Sequence, residues 1–288
     1  MKAAPFEYMA VGSLEEAVSA LGEYGDGAKV IAGGQSLVPL LALRLARPDV
    51  LLDINGVRGL DYIQAEGRTL RLGALARHRA VEQEQTVREQ FGVVAEAVAN
   101  IGHVAIRNRG TVGGSVAHAD PAAEWPAILL ALDGEIEAFG PNGTRAIAAS
   151  DFFVSYLTTA LDVEEVLREV RVTLPPGRIG TNFMELARRH GDFAIAGVVA
   201  VLARENGSVN HCRLALSGVG GTAVRTRSAE EALVGGEARA GEIEEAARLA
   251  AEEIEPAGDI HGSADYRRKV ARVLVRRALT AAAKQIED

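Results

Sequence analysis

A single cysteine, Cys212, stands in a chain of 288 residues. Without a second thiol there is no disulfide framework, and an iron–sulfur cluster, which needs several thiolates, has to belong to another chain. Cys212 itself sits in the alternating run H-C-R-L-A-L and reads as a strand residue without a redox role. Positive charge is also short: 31 Lys and Arg against 39 Asp and Glu leave a net charge of −8. That balance argues against nucleic acid bound through its phosphates. Apolar runs such as Trp125–Leu132 are too short to span a bilayer. The amino terminus, M-K-A-A-P-F-E-Y, has no long apolar core and carries Glu7, so no signal peptide is expected and the expected location is the cytoplasm. Familiar catalytic strings are missing as well. No G-x-S-x-G elbow supports a triad from Ser115, His118 and Asp120, and no metal-ligand spacing such as H-E-x-x-H links His118, Asp120 and Glu124.

Two glycine loops are present instead. Gly110, Thr111, Gly113, Gly114 and Ser115 lie in R-N-R-G-T-V-G-G-S-V-A-H-A-D-P-A-A-E (107–124), which ends in the carboxylates Asp120 and Glu124 and leads into an apolar, helical run. Earlier, a short buried strand at 29–31 runs into Ala32-Gly33-Gly34-Gln35-Ser36 and a helical segment at 37–45. Glycine lets a ligand approach the main chain closely, and exposed N–H groups in such turns form anion sites. Neither G-x-G-x-x-G nor a G-K-S or G-K-T string occurs, so the Rossmann and P-loop solutions are not supported. Two cradles suit a pyrophosphate gripped between two loops in a different fold. Asp120 and Glu124 either accept from ribose hydroxyls, as acids do in other dinucleotide sites, or cap a helix starting at Pro121.

The element pattern indicates α+β. A capping box at Ser13 and Glu16 opens a helix to Tyr24. Strands at 29–32 and 50–54 complete a βαβ unit over about 1–55, with Pro48 ending the helix between them. A hairpin turns at Glu66-Gly67, a helix runs over 86–101, and two strands are punctuated by Asp133-Gly134 and Pro141-Asn142-Gly143, giving a mixed or antiparallel sheet over 56–176. Pro175-Pro176-Gly177 marks the domain boundary. Beyond it, over 177–288, come three strands (181–187, 194–204, 209–217) and helices at 228–233, 242–254 and 264–283. Gly218-Val219-Gly220-Gly221 is a turn. Arg267, Arg268, Lys269, Arg272, Arg276 and Arg277 give the last helix a basic side, either solvated or a docking surface.

The strings A-G-G-Q-S-L at 32–37, R-N-R-G-T-V-G-G-S at 107–115 and R-R-H-G-D-F at 188–193 together resemble the FAD-binding medium subunit of molybdenum hydroxylases, the group of carbon monoxide dehydrogenase and the xanthine dehydrogenase family. The resemblance spans nearly the whole chain. It implies a two-part FAD-binding domain, a C-terminal domain of three antiparallel strands with a small helical bundle, and FAD as this chain's cofactor. It implies contacts at Ile31, Ala32, Gly33, Gly34, Gln35 and Ser36 of the first loop and at Thr111, Gly113, Gly114 and Ser115 of the second. Glu124 takes the ribose contact with Asp120 close by, Ile101 touches the cofactor, Leu167 lines its site, and Phe193 lies by the flavin ring. Relatives often have Tyr at the position of Phe193. Arg188 and Arg189 either balance charge on reduced flavin or phosphate or are solvated. No catalytic side chain is required, because the flavin carries the electrons. The implied partners are a large subunit with molybdopterin–molybdenum and a small subunit with 2Fe–2S clusters, assembled as a dimer of heterotrimers. Electrons would pass from those clusters through FAD to an external acceptor. The competing readings are a free-standing FAD-dependent oxidoreductase and a non-catalytic nucleotide-binding assembly subunit.

Overall fold

The architecture, a computed structural model describing residues 2–287, is built on three apolar cores. The first belongs to β1 (Glu7–Ala10), α1 (Leu14–Tyr24), β2 (Ala28–Ile31), α2 (Leu37–Ala42) and β3 (Val50–Asp53). Its strands form a parallel sheet in the order β1-β3-β2, covered by Leu14, Ala17, Val18 and Leu21 of α1. Ser13 caps α1 by accepting from the Glu16 N–H at 3.1 Å, while the Glu16 carboxylate reaches one residue further back, to the Gly12 N–H at 2.7 Å. β2 is an edge strand, which leaves Lys29 exposed and Val30 and Ile31 half-buried where a buried strand was expected. The helix expected over 37–45 stops at Ala42, because Arg44 takes a left-handed φ of 59°; Pro48 therefore does not end it. β1 adds a strand that its mostly exposed sequence E-Y-M-A did not signal.

The second core lies between a five-stranded sheet and a layer of short helices. Its elements are β4 (Ile63–Glu66), β5 (Thr69–Gly73), α3 (His78–Gln83), α4 (Gln85–Gln90), α5 (Gly92–Val98), α6 (Val104–Arg107), α7 (Val112–His118), α8 (Glu124–Ala131), β6 (Glu135–Gly140), β7 (Gly143–Ala148), α9 (Ala149–Phe152), β8 (Phe153–Ser155), β9 (Thr158–Thr159) and β10 (Val166–Thr173). The main sheet is antiparallel throughout, in the order β4-β5-β10-β6-β7. The single helix expected over 86–101 breaks at Phe91, whose φ of −123° and ψ of 45° lie outside the helical region. Val87, Phe91, Val94 and Val98 all still enter the core. α8 is buried along its whole length, consistent with its unbroken apolar sequence.

The third core joins β11 (Arg178–Leu186), β12 (Ala196–Glu205), β13 (Ser208–Ser217) and β14 (Val224–Arg225) to α10 (Arg227–Glu231), α11 (Ala240–Glu253) and α12 (Ala264–Ile286). The sheet has four antiparallel strands, not three; the extra β14 pairs only two residues with β13, too short a run to show a period. Alternation along the strands serves two cores. Val198, Ala200 and Leu202 face the helices, whereas Phe183, Val199, Val201 and Ala215 face the second core. Cys212 is buried in β13, and burial pushes its thiol up, as expected of an inert strand residue. Arg267 leaves the basic face expected of the last helix. It is 7% exposed and donates to the Ile195 and Gly218 carbonyls at 2.7 and 2.9 Å and to Asp259 at 2.8 Å. Arg272 and Arg276 pair with Glu244 of α11. Among the described residues no helix is long and apolar enough to cross a membrane.

Candidate functional site

The two glycine loops, about 75 residues apart in sequence, are pressed together. A Cβ on Gly33 would lie 2.8 Å from the Gly110 Cα and closer still to the Arg109 carbonyl oxygen, so only glycine permits this backbone contact. A polar clamp fixes the arrangement from below. Asn55 Nδ2 donates to the Ala32 carbonyl at 2.8 Å, and Arg77 donates both to Asn55 Oδ1 at 2.8 Å and to the Arg109 carbonyl. Asp53 orients Asn55 through its N–H at 2.8 Å and is itself held by the Tyr8 hydroxyl at 2.6 Å. Ala32, Asp53 and Asn55 sit at the carboxyl ends of β2 and β3, where ligands bind in open parallel sheets. The sequence signal for them was the polar D-I-N at the end of β3.

The loops differ in what they offer. Among the described residues the N–H groups of Gly33, Gly34, Gln35 and Ser36 meet no acceptor in the chain. Gly34 turns the loop with φ 71°, and Gln35 braces it by donating its side-chain amide to the Gly33 carbonyl at 2.9 Å. The cavity above has a volume of about 450 Å³ and is lined by Ile31 to Gln35, Val38, Asn55 and Arg109, among others. In the second loop the N–H groups from Val112 to Ser115 are already used. Val112 donates to the Ala76 carbonyl and Gly113 to Ala74, both at 2.9 Å; Ser115 donates to Thr111 at 3.0 Å. Gly114 donates to the Thr111 hydroxyl at 3.1 Å, so Thr111 is the cap of α7. Gly113 is there for packing: a Cβ would stand 2.6 Å from the Ala74 Cβ. The Ser36 and Ser115 side chains carry no cap or internal hydrogen bond.

The third motif folds onto the same side. Gly191 has φ 86°, and a Cβ there would meet His103 Nδ1 at 2.8 Å and the Gly102 carbonyl carbon at 2.9 Å. The 101–103 turn is held by the buried Arg107, which donates to the Ile101 and Gly102 carbonyls at 3.1 and 2.9 Å and pairs with Glu82 at 2.8 Å. Ile101 is half-buried on the second core, and Leu167 is buried within it on β10, the strand beneath α7. Phe193 is 65% exposed, and Arg188 reaches only His261, at 3.4 Å. Behind the second loop His78 is 3% exposed and accepts at Nδ1 from the Trp125 indole at 3.2 Å. Burial, then Arg107 and Arg77, push its pKa down to about 3, so it is a neutral packing residue.

Carboxylates complete the site. Asp120 does not cap a helix from Pro121; its Oδ1 accepts from the Ala122 N–H at 2.8 Å in a tight turn, and α8 begins only at Glu124. Glu124 is 9% exposed, and burial, with Glu185 and Asp120 nearby, pushes its pKa up to about 8. Glu185 was not singled out by the sequence; burial pushes it up to about 7. The site thus joins free N–H donors and arginines at one end to protonatable acids further along.

Known proteins share this fold over its whole length. Residues 4–175 match the family model described as the FAD binding domain in molybdopterin dehydrogenase, and residues 181–282 match the CO dehydrogenase flavoprotein C-terminal domain. The 6-hydroxypseudooxynicotine dehydrogenase complex subunit alpha of Paenarthrobacter nicotinovorans is 42% identical over 98% of this chain and 96% of its own. A structure of carbon monoxide dehydrogenase from Hydrogenophaga pseudoflava superposes with a TM-score of 0.96 at 39% identity, covering 99% of both chains. Quinoline 2-oxidoreductase from Pseudomonas putida 86 gives 0.92 at 37% identity over 99% of each chain. With glycine loops, clamp and carboxylates carried on a fold matched end to end, the chain belongs to the FAD-binding medium subunits of the molybdenum hydroxylase family.

Proposed function

We propose that this chain is the electron-transfer subunit of a cytoplasmic molybdenum hydroxylase, taking electrons from iron–sulfur clusters of a small partner and passing them through FAD to an external acceptor. Substrate would be hydroxylated at a molybdopterin–molybdenum centre on a large partner, and the heterotrimer would be duplicated. The observation that carries this chain's part is the row of unpaired N–H groups at Gly33, Gly34, Gln35 and Ser36, held against the second loop. A pyrophosphate supplies the negative charge they lack. Arg77 and Arg109 add to the attraction: their mutual repulsion, after burial, holds the Arg77 guanidinium below its usual pKa, and an anion between the loops relieves it. Ile31 and Ala32 wall the cavity; the Ser36 and Ser115 hydroxyls add donors, and Thr111, Gly113 and Gly114 serve by holding the second loop in shape beside it. Asp120 and Glu124 accept from sugar hydroxyls, Ile101 and Leu167 form the floor, and Arg188 and Phe193 stand at the ring. An aromatic side chain as exposed as Phe193 gains buried area when a flat ring covers it. Bound FAD supplies the one- and two-electron steps; the side chains bind, orient and shield it. The family ranges support domains at 1–176 and 177–288, and the separate parallel and antiparallel sheets support subdomains at about 1–55 and 56–176.

Affinity purification of the tagged full chain from its own host tests this reading. It should bring down one large and one small chain with molybdenum, iron and noncovalent FAD, and substrate should bleach the flavin only when both partners are present. Turnover of an organic substrate by the chain alone would favour a free-standing oxidoreductase. A colourless chain would favour an assembly module.

A further inference from the structure

The face of the third sheet that meets the second core carries a row of polar groups. Pairing sets Glu185 opposite Gly197 and Gly197 opposite Ser217, so the three positions form one row across β11, β12 and β13. The row lies on the face shared with Phe183, Val199 and Ala215. Its middle position has no side chain. A Cβ on Gly197 would run into Ser217 Oγ and lie 3.6 Å from the Glu185 Cβ. Ser217 Oγ fills that space, and it and Glu185 Oε2 are buried oxygens without a hydrogen-bond partner among the described residues, with Ser217 0% exposed. α8 packs across β12 and β13, and its first residue, Glu124, brings a second buried carboxyl within electrostatic reach of Glu185. Leaving such groups unpaired costs free energy in the isolated chain. Burial raises the pKa of both Glu124 and Glu185, the direction expected of carboxyls withdrawn from water.

The row connects the segments proposed to hold the phosphates and the ring. Glu185 precedes the 188–193 segment on β11, and Glu124 closes the segment that starts with the second glycine loop. The Gly218 N–H, next to Ser217, donates to the Pro121 carbonyl at 2.8 Å and ties the end of β13 to the Asp120–Glu124 turn. We propose that Glu185 and Ser217, together with Glu124, form a buried acceptor pocket for the hydroxyl groups of a polyol linker, the ribityl chain of the flavin. This rests on the FAD reading above and adds Glu185 and Ser217 as positioning residues of that site.

The test compares FAD with ADP, which has the adenosine and the pyrophosphate but no ribityl chain, as ligands of the flavin-free full chain. Glu185→Leu should weaken FAD at least about tenfold, the scale of one hydrogen bond to a buried acid, and leave ADP binding unchanged. Ser217→Ala should weaken FAD about threefold, again without touching ADP. Glu185→Gln, which keeps an acceptor oxygen of the same shape, should stay within about threefold of the original chain. The flavin-free Glu185→Leu chain should also melt at a higher temperature, because an unpaired buried carboxyl has been removed. Unchanged FAD binding in Glu185→Leu and Ser217→Ala would overturn the assignment. So would an equal loss of FAD and ADP with a lowered melting temperature, which would make the row a structural brace. Failure of the unsubstituted chain to bind FAD would strike the FAD reading itself, before any variant is made.

Discussion

Gly33→Val should reduce FAD binding by a hundredfold or more while leaving the chain folded. The atoms that a side chain at Gly33 meets are the backbone of Arg109 and Gly110, with the Gly110 Cα at 2.8 Å, and backbone cannot swing aside as a long side chain can. Overpacking of this kind costs about 1–3 kcal/mol and is relieved by moving the elements apart. The strain therefore appears as separation of the two loops. Separation breaks the clamp as well, since Asn55 holds the Ala32 carbonyl and Arg77 holds that of Arg109. Each 1.4 kcal/mol is a factor of ten in affinity, and displaced donors add to the packing strain. The fold should survive because Gly33 lies outside all three cores. Arg77→Met, which removes the clamp without adding bulk, should cost about tenfold. Gly241→Ala, at a helical position with open space around it, is the control and should bind FAD normally. Flavin fluorescence titration of the three full-length variants separates these outcomes. Wild-type affinity in Gly33→Val would show that the contact between the loops is irrelevant to binding.

The flavin-free chain should be most stable at about pH 4.5 to 5 and lose stability on both sides. Glu124 titrates near 4.5 when unfolded and near 8 when folded. A raised acid contributes stability that is fully present below about pH 4.5 and is lost as pH rises through about 8. Glu185 adds a smaller loss as pH rises through about 7. The charged groups acting on Glu124 are Glu185 on β11, Asp120 in the preceding turn and Arg107 on α6; the two acids outweigh the one cation, so the direction stands. His78 works the other way. Its pKa falls from 6.5 to about 3 in the fold, so its contribution is present above 6.5 and disappears as pH falls toward 3. Carboxylates held below their usual range by arginines, Glu82, Glu165 and Glu169, add to the acid loss. Glu124→Gln should therefore stabilise the flavin-free chain at pH 8.5 by roughly 3 kcal/mol and change little at pH 5. Urea unfolding at the two pH values measures this. Equal effects at both would mean that Glu124 is not held in its protonated form by burial.

Much of this was legible before any coordinates. Turns at Gly67, Asn206 and Gly207 sit where glycine and asparagine signalled positive φ; the first two motif strings do meet, and the third packs against the 102–103 turn just ahead of the second. What escaped has a common cause, in that it depends on neighbours remote in sequence. The break at Phe91 leaves the apolar spacing intact and so is invisible to periodicity. β14 exists only because β13 offers an edge. Asn55, Arg77, Glu185 and Ser217 carry no motif of their own. Their roles come from convergence, of strand ends in the first sheet and of one register row in the third. The same convergence changes how the second glycine loop is understood. Its glycines suggested free donors, yet Gly113 is required by Ala74 and Gly114 by the Thr111 cap.

That asymmetry between the loops is open to a direct measurement, amide hydrogen exchange of the full chain with and without FAD. The N–H groups of Gly33, Gly34, Gln35 and Ser36 have no acceptor among the described residues, whereas those of Val112 to Ser115 are bonded within the chain. Saturating FAD should slow exchange strongly at 33–36 and alter it little at 112–115, where protection already exists. Protection confined to 112–115, or no change at 33–36 in a chain shown to hold flavin, would contradict the assignment of the first loop as the pyrophosphate cradle.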